Sequence, residues 1–165
     1  MKTRRIAILV ALAVTCLTDT PARARFEMGS LRIGAGLGLR GSPEGTLFSA
    51  SATFGVFVLQ GLELHVSNLV QTGGDSPTVY LLTGGVRFIP LPDLHLTPYL
   101  AGEGGRLFIG DGAEDAWVAG AGGGLLYMLG PSWGIDLGVG YRWYFFPDED
   151  PIGDWDVQVG LILVF

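Results

Sequence analysis

The chain ends on WDVQVGLILVF, residues 155–165. Trp155, Val157, Val159, Leu161, Leu163 and Phe165 occupy alternate positions and are all apolar, with Asp156, Gln158, Gly160, Ile162 and Val164 between them. Side chains of a strand alternate between its two faces, so this spacing predicts a strand with one wholly apolar side. Termini of water-soluble domains are usually polar and loosely held. The question is what such a side touches.

The same two-residue period recurs upstream. SLRIGAGLGLR (30–40) sets Leu31, Ile33, Ala35, Leu37 and Leu39 against Arg32, Arg40 and glycines. LFSASATFGVFVL (47–59) keeps Phe48, Ala50, Ala52, Phe54, Val56 and Val58 in phase. LELHVSNLV (62–70) opposes Leu62, Leu64 and Val66 to Glu63, His65 and Ser67. TVYLLTGGVRFI (78–89) opposes Tyr80, Leu82, Val86 and Phe88 to Thr83, Gly85 and Arg87. In HLTPYLAGEGGRLF (95–108) Pro98 and several glycines blur the phase. AWVAGAGGGLLYML (116–129) and WGIDLGVGYRWYFF (133–146) alternate again, the latter with Asp136, Gly138, Gly140 and Arg142 opposite Ile135, Leu137, Val139 and Tyr141. Eight strands result.

The connections after the second, fourth and sixth strands are short: Gln60-Gly61, Pro90 to Asp93, and Gly130 to Ser132. Those after the odd strands are longer and polar. An even strand count with short turns at one end and longer loops at the other is the pattern of an outer-membrane β-barrel. Length agrees, since eleven residues at ~3.3 Å, tilted by ~40°, cover ~28 Å against an apolar band of ~25 Å. A soluble β-sandwich or ligand-binding barrel also alternates, so the direction of the apolar face decides. The opposite face holds glycine and charge, which suits a narrow lumen better than an exterior. Aromatics also collect at both ends of the apolar face: Phe48, Tyr80, Trp117, Trp143, Phe145 and Trp155 on the loop side, Phe88, Tyr127, Trp133 and Phe165 on the turn side. Two such girdles are expected where amphipathic rings meet lipid headgroups. The fold class is therefore all-β, an eight-stranded antiparallel up-and-down transmembrane barrel.

Residues 1–24 are expected to be a cleaved secretory signal: Lys2, Arg4 and Arg5, the apolar run Ile6 to Leu17, then Ala22-Arg23-Ala24. A membrane-spanning helix would need ~20 apolar residues. Acylation at Cys16 is the competing reading, against which Thr15 stands where such signals carry Gly or Ala. Residues 25–165 then form one domain without cysteine, holding six basic and fifteen acidic residues. That balance excludes nucleic acid as a partner.

Gln158, Gly160, Leu163 and Phe165 fall at the spacing of the C-terminal assembly signal of outer-membrane barrels, which this stretch resembles. From Arg25 to Phe165 the chain resembles the small eight-stranded barrels typified by the OmpA transmembrane domain and OmpX. LTPYLAGEGG (96–105) and IDLGVGYRWY (135–144) look like stretches common there. The resemblance implies a bacterial outer-membrane protein with periplasmic termini and extracellular loops, assembled by the barrel-assembly machinery and surrounded by lipid and lipopolysaccharide. It implies no cofactor, leaves the partner of the loops open, and, with the chain finishing at Phe165, no peptidoglycan-binding module is expected.

Eight strands enclose a bore that side chains can fill. The inward set pairs Arg32, Arg40, Arg87 and Arg142 with Glu63, Glu103, Asp136 and Asp156, an equal balance, as burial of charge demands. Neighbouring strands suggest Glu63 with Arg87, and Arg142 with Asp156 flanked by Arg40. Such a network is expected to plug the lumen. Nine acids fall in the longer loops: Glu44, Asp75, Asp111, Glu114, Asp115, Asp148, Glu149, Asp150 and Asp154. Divalent cations suit clustered carboxylates, but the spacing is irregular and a solvated surface is the simpler expectation.

Glu63, His65 and Ser67 place acid, base and nucleophile on one strand face. A lipid A 3-O-deacylase family of small barrels uses a His-x-Ser-Asn element with a more distant Glu, and His65, Ser67 and Asn68 match it in letters. Here the element lies on the third strand rather than near the C-terminus, and alternation turns His65 and Ser67 into the lumen. Residues two apart on a strand are ~6.6 Å apart, too far for direct hydrogen bonding. A polar lumen lining is expected instead. His65 and His95 offer little for zinc, and Gly120 to Gly124 lacks the lysine and helix of a phosphate loop.

Overall fold

The computed structural model describes residues 26–42, 45–73, 76–110 and 115–165. The expected signal segment lies outside them. Eight strands follow one another: β1 (Leu31–Ser42), β2 (Gly45–Leu59), β3 (Leu62–Gly73), β4 (Ser76–Phe88), β5 (Leu96–Ile109), β6 (Ala116–Met128), β7 (Trp133–Phe145) and β8 (Ile152–Val164). Each pairs antiparallel with the next, and β8 pairs with β1 to close the barrel.

The terminal stretch is the seam. Its register with β1 runs from Arg32 opposite Val164 to Leu39 opposite Val157. Leu31 and Phe165 then exchange two backbone hydrogen bonds of 3.0 and 2.9 Å. Closure gives each strand a hydrogen-bonded neighbour on both sides, so its backbone groups pair within the wall over the registers that the strands share.

The expected alternation of short turns and long loops does not hold. Ser42 pairs with Gly45, and Gly73 with Ser76, so only two residues separate β1 from β2 and β3 from β4. By contrast, the turn between β4 and β5 takes residues 89–95. The polar, glycine-rich composition of 41–46 and 72–77 signals a loop, yet pairing satisfies more backbone groups than an open loop would.

Partners also fix the uncertain phase of β5. Glu103 stands opposite Gly85 on β4 and Gly120 on β6, and Thr97, Tyr99 and Leu107 share its inward side. On the outer face Ile33, Phe54, Val66, Leu82, Leu100, Val139, Val157 and Leu161 are exposed, with Phe48, Trp117 and Trp155 toward one end and Phe88, Trp133 and Phe165 toward the other.

The lumen is not wholly polar. A layer near the turns contains Phe26, Phe57, Ile89, Leu126, Met128, Ile162 and Val164, all buried. A second, toward the loops, contains Leu69, Leu81, Leu107, Ala116, Val118 and Tyr144. Charge occupies the space between. The ion pairs therefore lie between two apolar layers, and a low local dielectric strengthens such pairs. Phe26 precedes β1 and folds back under the barrel, its ring 5.4 Å from that of Phe57. Its carbonyl accepts a 2.9 Å hydrogen bond from the Gly61 N–H. Gly61 has φ +72° and no space for a Cβ against the Ile89 carbonyl, so this turn requires glycine.

Candidate functional site

Two ion-pair clusters fill the middle of the lumen. In the one nearer the turns, Arg32 Nε donates to both Glu63 carboxylate oxygens at 2.9 Å, and Nη2 makes an ionic contact with Oε1 at 2.9 Å. Both residues are fully buried, at 1% and 0% exposure. Arg87 Nη1 donates to Asp136 Oδ2 at 3.0 Å, and the Tyr99 hydroxyl donates to Oδ1 at 2.8 Å. The Arg87 guanidinium also lies 4.2 Å from the Tyr99 ring centroid, a cation–π contact.

The cluster nearer the loops centres on Arg142. Its Nε donates to Glu103 Oε1 at 2.6 Å, and Nη1 lies 2.7 Å from Asp156 Oδ1. Thr83 donates to the other Glu103 oxygen at 3.0 Å, and Gln158 Nε2 to Asp156 Oδ2 at 2.7 Å. Glu103 thus accepts from two side chains, and Asp156 accepts from Gln158 while its Oδ1 makes an ionic contact with Arg142, partners that buried charge needs.

The expected Glu63–Arg87 pair is a secondary contact. Arg87 Nε lies 4.0 Å from Glu63 Oε2, whereas Arg32 holds that carboxylate directly. Arg32 is on β1 and Glu63 on β3, so the link crosses β2, where Gly55 stands opposite Arg32. A Cβ on Gly55 would fall on the Glu63 carboxylate. The same device recurs for Glu103 on β5 and Arg142 on β7. Gly120 of β6 faces both in register, and a Cβ there would meet Arg142 Cγ at 3.1 Å and Glu103 Cγ at 3.3 Å. The glycines thus let charges reach past a strand. Pairing by adjacent strands missed both links; Gly120, in register between Glu103 and Arg142, was a signal for the second, whereas Gly55 is in register with Arg32 and His65 and Glu63 lies opposite Phe57. The Arg40 side chain lies outside the described residues.

Glu63, His65 and Ser67 do not assemble as an acid–base–nucleophile set. Glu63 is held by Arg32, while the Ser67 hydroxyl shares a 3.1 Å hydrogen bond with Thr53 Oγ1. His65 is buried, and its Nδ1 has no hydrogen-bond partner among the described residues. It lines a cavity of about 90 Å³ together with Ser67, Tyr99, Glu103 and Arg142. Asn68, the third letter of the element, faces outward.

The terminal residues divide by face. Gln158 and Gly160 point into the lumen, whereas Leu163 and Phe165 are exposed outside. Of the loop acids, Asp148, Glu149 and Asp150 are exposed, and Asp115 pairs with Arg106 at 3.3 Å. Glu44, Asp75, Asp111 and Glu114 lie outside the described residues. Among those described, no three metal-ligating side chains come together.

No protein-family model and no curated protein matches the sequence. Solved structures do match. Neisserial surface protein A superposes with a TM-score of 0.63 at 17% identity, over 82% of this chain and 96% of that one. The fold is that of the small eight-stranded outer-membrane β-barrels. The N-terminal barrel of OprF from Pseudomonas aeruginosa superposes with a TM-score of 0.61 at 18% identity, covering 84% of this chain and 98% of its own. OprG from the same organism gives 0.55 at 11% identity, over 84% and 97%. At such identities the likeness is one of fold. The outer-membrane barrel architecture accounts for the inverted arrangement found here, with charge enclosed and hydrocarbon-like side chains exposed.

Proposed function

We propose that this protein is an integral protein of the bacterial outer membrane, with its turns and termini in the periplasm and its loops at the cell surface. Its lumen is plugged, and its role is structural or surface-interacting rather than catalytic or pore-forming. The observation that supports the reading is the lumen itself: two apolar layers flank two ion-pair clusters, and the cavities lined by these residues measure about 90, 50 and 20 Å³. A conducting barrel needs a continuous aqueous path, and eight strands leave little room for one once side chains are in place. The exposed carboxylates of Asp148, Glu149 and Asp150 supply a hydrated surface at the loop end.

The acid–base residues of β3 support this reading over lipid A deacylation. Ser67 has a hydroxyl partner rather than a base, and it faces away from the lipid that such an enzyme would cut. The test is conductance of the purified protein in planar bilayers, together with heat-dependent gel mobility and membrane fractionation. Expected are a membrane-bound, heat-modifiable barrel and current at the lipid background. Reproducible single-channel steps would overturn the plugged lumen, and loss of a lipid A acyl chain that depends on Ser67 would overturn the non-catalytic reading.

A further inference from the structure

We propose that the outer wall across β3 to β7 carries a binding site for a phosphorylated glycolipid of the lipid A type, with its phosphate on Arg106 and one acyl chain in a trough beneath. The inference rests on the proposed orientation, which puts the loop end in the outer leaflet.

Among the described residues, Arg106 is the only arginine on the outward face; Arg32, Arg87 and Arg142 all turn into the lumen. It sits at the level of the loop-side aromatic girdle, opposite Trp117 on β6 and Leu82 on β4. A cation costs far less there than at the bilayer midplane. Its guanidinium lies 5.6 Å from the Trp117 ring centroid and 5.8 Å from that of Phe108. Asp115 takes Nη2 at 3.3 Å, while half of the side chain remains exposed. A guanidinium presents five N–H donors, so one carboxylate leaves donors for a phosphate, which it recognises by charge and by fork geometry.

A second polar group shares this level. Asn68 faces outward, and the register runs Asn68, Leu82, Arg106 across three adjacent strands. At ~4.8 Å per strand the two polar residues stand ~10 Å apart on a surface that is otherwise apolar. An amide that both donates and accepts suits the sugar hydroxyls and amide linkages of a glycolipid head.

Below them the wall carries residues with little or no side chain. Gly84, Gly104 and Ala119 make one row, and Gly102 and Ala121 the next. Val66 and Val86 flank these rows on one side, with Trp143 and Tyr141 on the other. These glycines differ from those inside. A Cβ at Gly84, Gly102 or Gly104 would meet no atom closer than 3.6 Å, whereas one at Gly55 would strike a side chain. Glycine weakens a strand when nothing demands it. Among the described residues no atom crowds these three, and the space they leave faces outward directly under Arg106.

The test is native mass spectrometry of the full barrel in detergent with added bisphosphorylated lipid A, alongside its dephosphorylated analogue and inorganic phosphate. The wild type is expected to retain lipid A. Arg106→Ala should weaken retention at least tenfold, and so should Gly104→Leu, which fills the trough. The dephosphorylated lipid should bind the wild type at least tenfold more weakly, and inorganic phosphate should not displace lipid A. Equal retention by Arg106→Ala, or equal binding of the dephosphorylated lipid, overturns the site. Displacement by phosphate alone reduces it to an anion contact and overturns the glycolipid, and unchanged binding by Gly104→Leu overturns the trough. Heat-dependent gel mobility of every variant reads barrel closure and membrane residence separately, so failure of the site is distinguishable from failure of the proposed function.

Discussion

Replacing Glu63 with Gln removes one charge and little else. The amide keeps the shape of the carboxylate, but Arg32 stays 1% exposed and loses its counter-ion, with the Arg87 guanidinium also close to the vacated charge at 4.0 Å. Breaking a buried pair in this way costs ~3–5 kcal/mol, because the remaining charge has neither water nor partner. With a urea dependence of ~2 kcal/mol per molar, the unfolding midpoint should fall by ~2 M. Unfolding in detergent micelles can be followed by the fluorescence of the four tryptophans, which all lie on the outer wall. The control is the double variant Arg32→Met with Glu63→Leu, which removes both charges and should recover most of the loss. The reasoning fails if Glu63→Gln costs under ~1 kcal/mol, or if the double variant is no more stable than the single one.

Two further outcomes test the lumen layers and the seam. Phe57→Ala should destabilise by ~3–5 kcal/mol in the same assay, because it opens a cavity beneath the Phe26 ring; a loss under ~1 kcal/mol would mean that the turn-end layer is not packed as described. Phe165→Ala removes a side chain that is 61% exposed and leaves its backbone pairing with Leu31 intact, so stability of refolded protein should change by less than ~0.5 kcal/mol. If the final residue acts as an assembly signal, the amount of folded barrel in cell membranes should nonetheless fall several-fold. Wild-type levels would assign Phe165 no such role.

What could be read along the chain was whatever depends on neighbours two residues apart. Alternation in 155–165 and in its upstream counterparts settled strand number, the apolar face and the girdle aromatics, since a strand turns successive side chains to opposite sides wherever it is placed. Where alternation was weak, reading stopped. Glycines and Pro98 blur the phase of β5, and pairing with β4 and β6 fixes it with Glu103 inward, as its place in the charged set implied. The polar composition after β1 and β3 signals loops, but there the partner strand decides the pairing, which continues to Ser42–Gly45 and Gly73–Ser76.

The lumen shows the same division more sharply. Which side chains face inward followed from the pattern, and the charged set was recognisable at once. Of the pairings expected between neighbouring strands, Arg142 with Asp156 forms at 2.7 Å, whereas Glu63 with Arg87 is only a 4.0 Å contact. Arg32 reaches Glu63, and Glu103 reaches Arg142, by passing over a glycine on the strand between, a relation spread over three strands and some thirty residues of chain. Leu69, Leu81, Leu126 and Ile162 are apolar on the inward face, and the closed barrel stacks them into two buried layers. Side-chain direction is a property of the strand. Contact across a bore depends on its radius, tilt and stagger, and these exist only once the eighth strand has met the first.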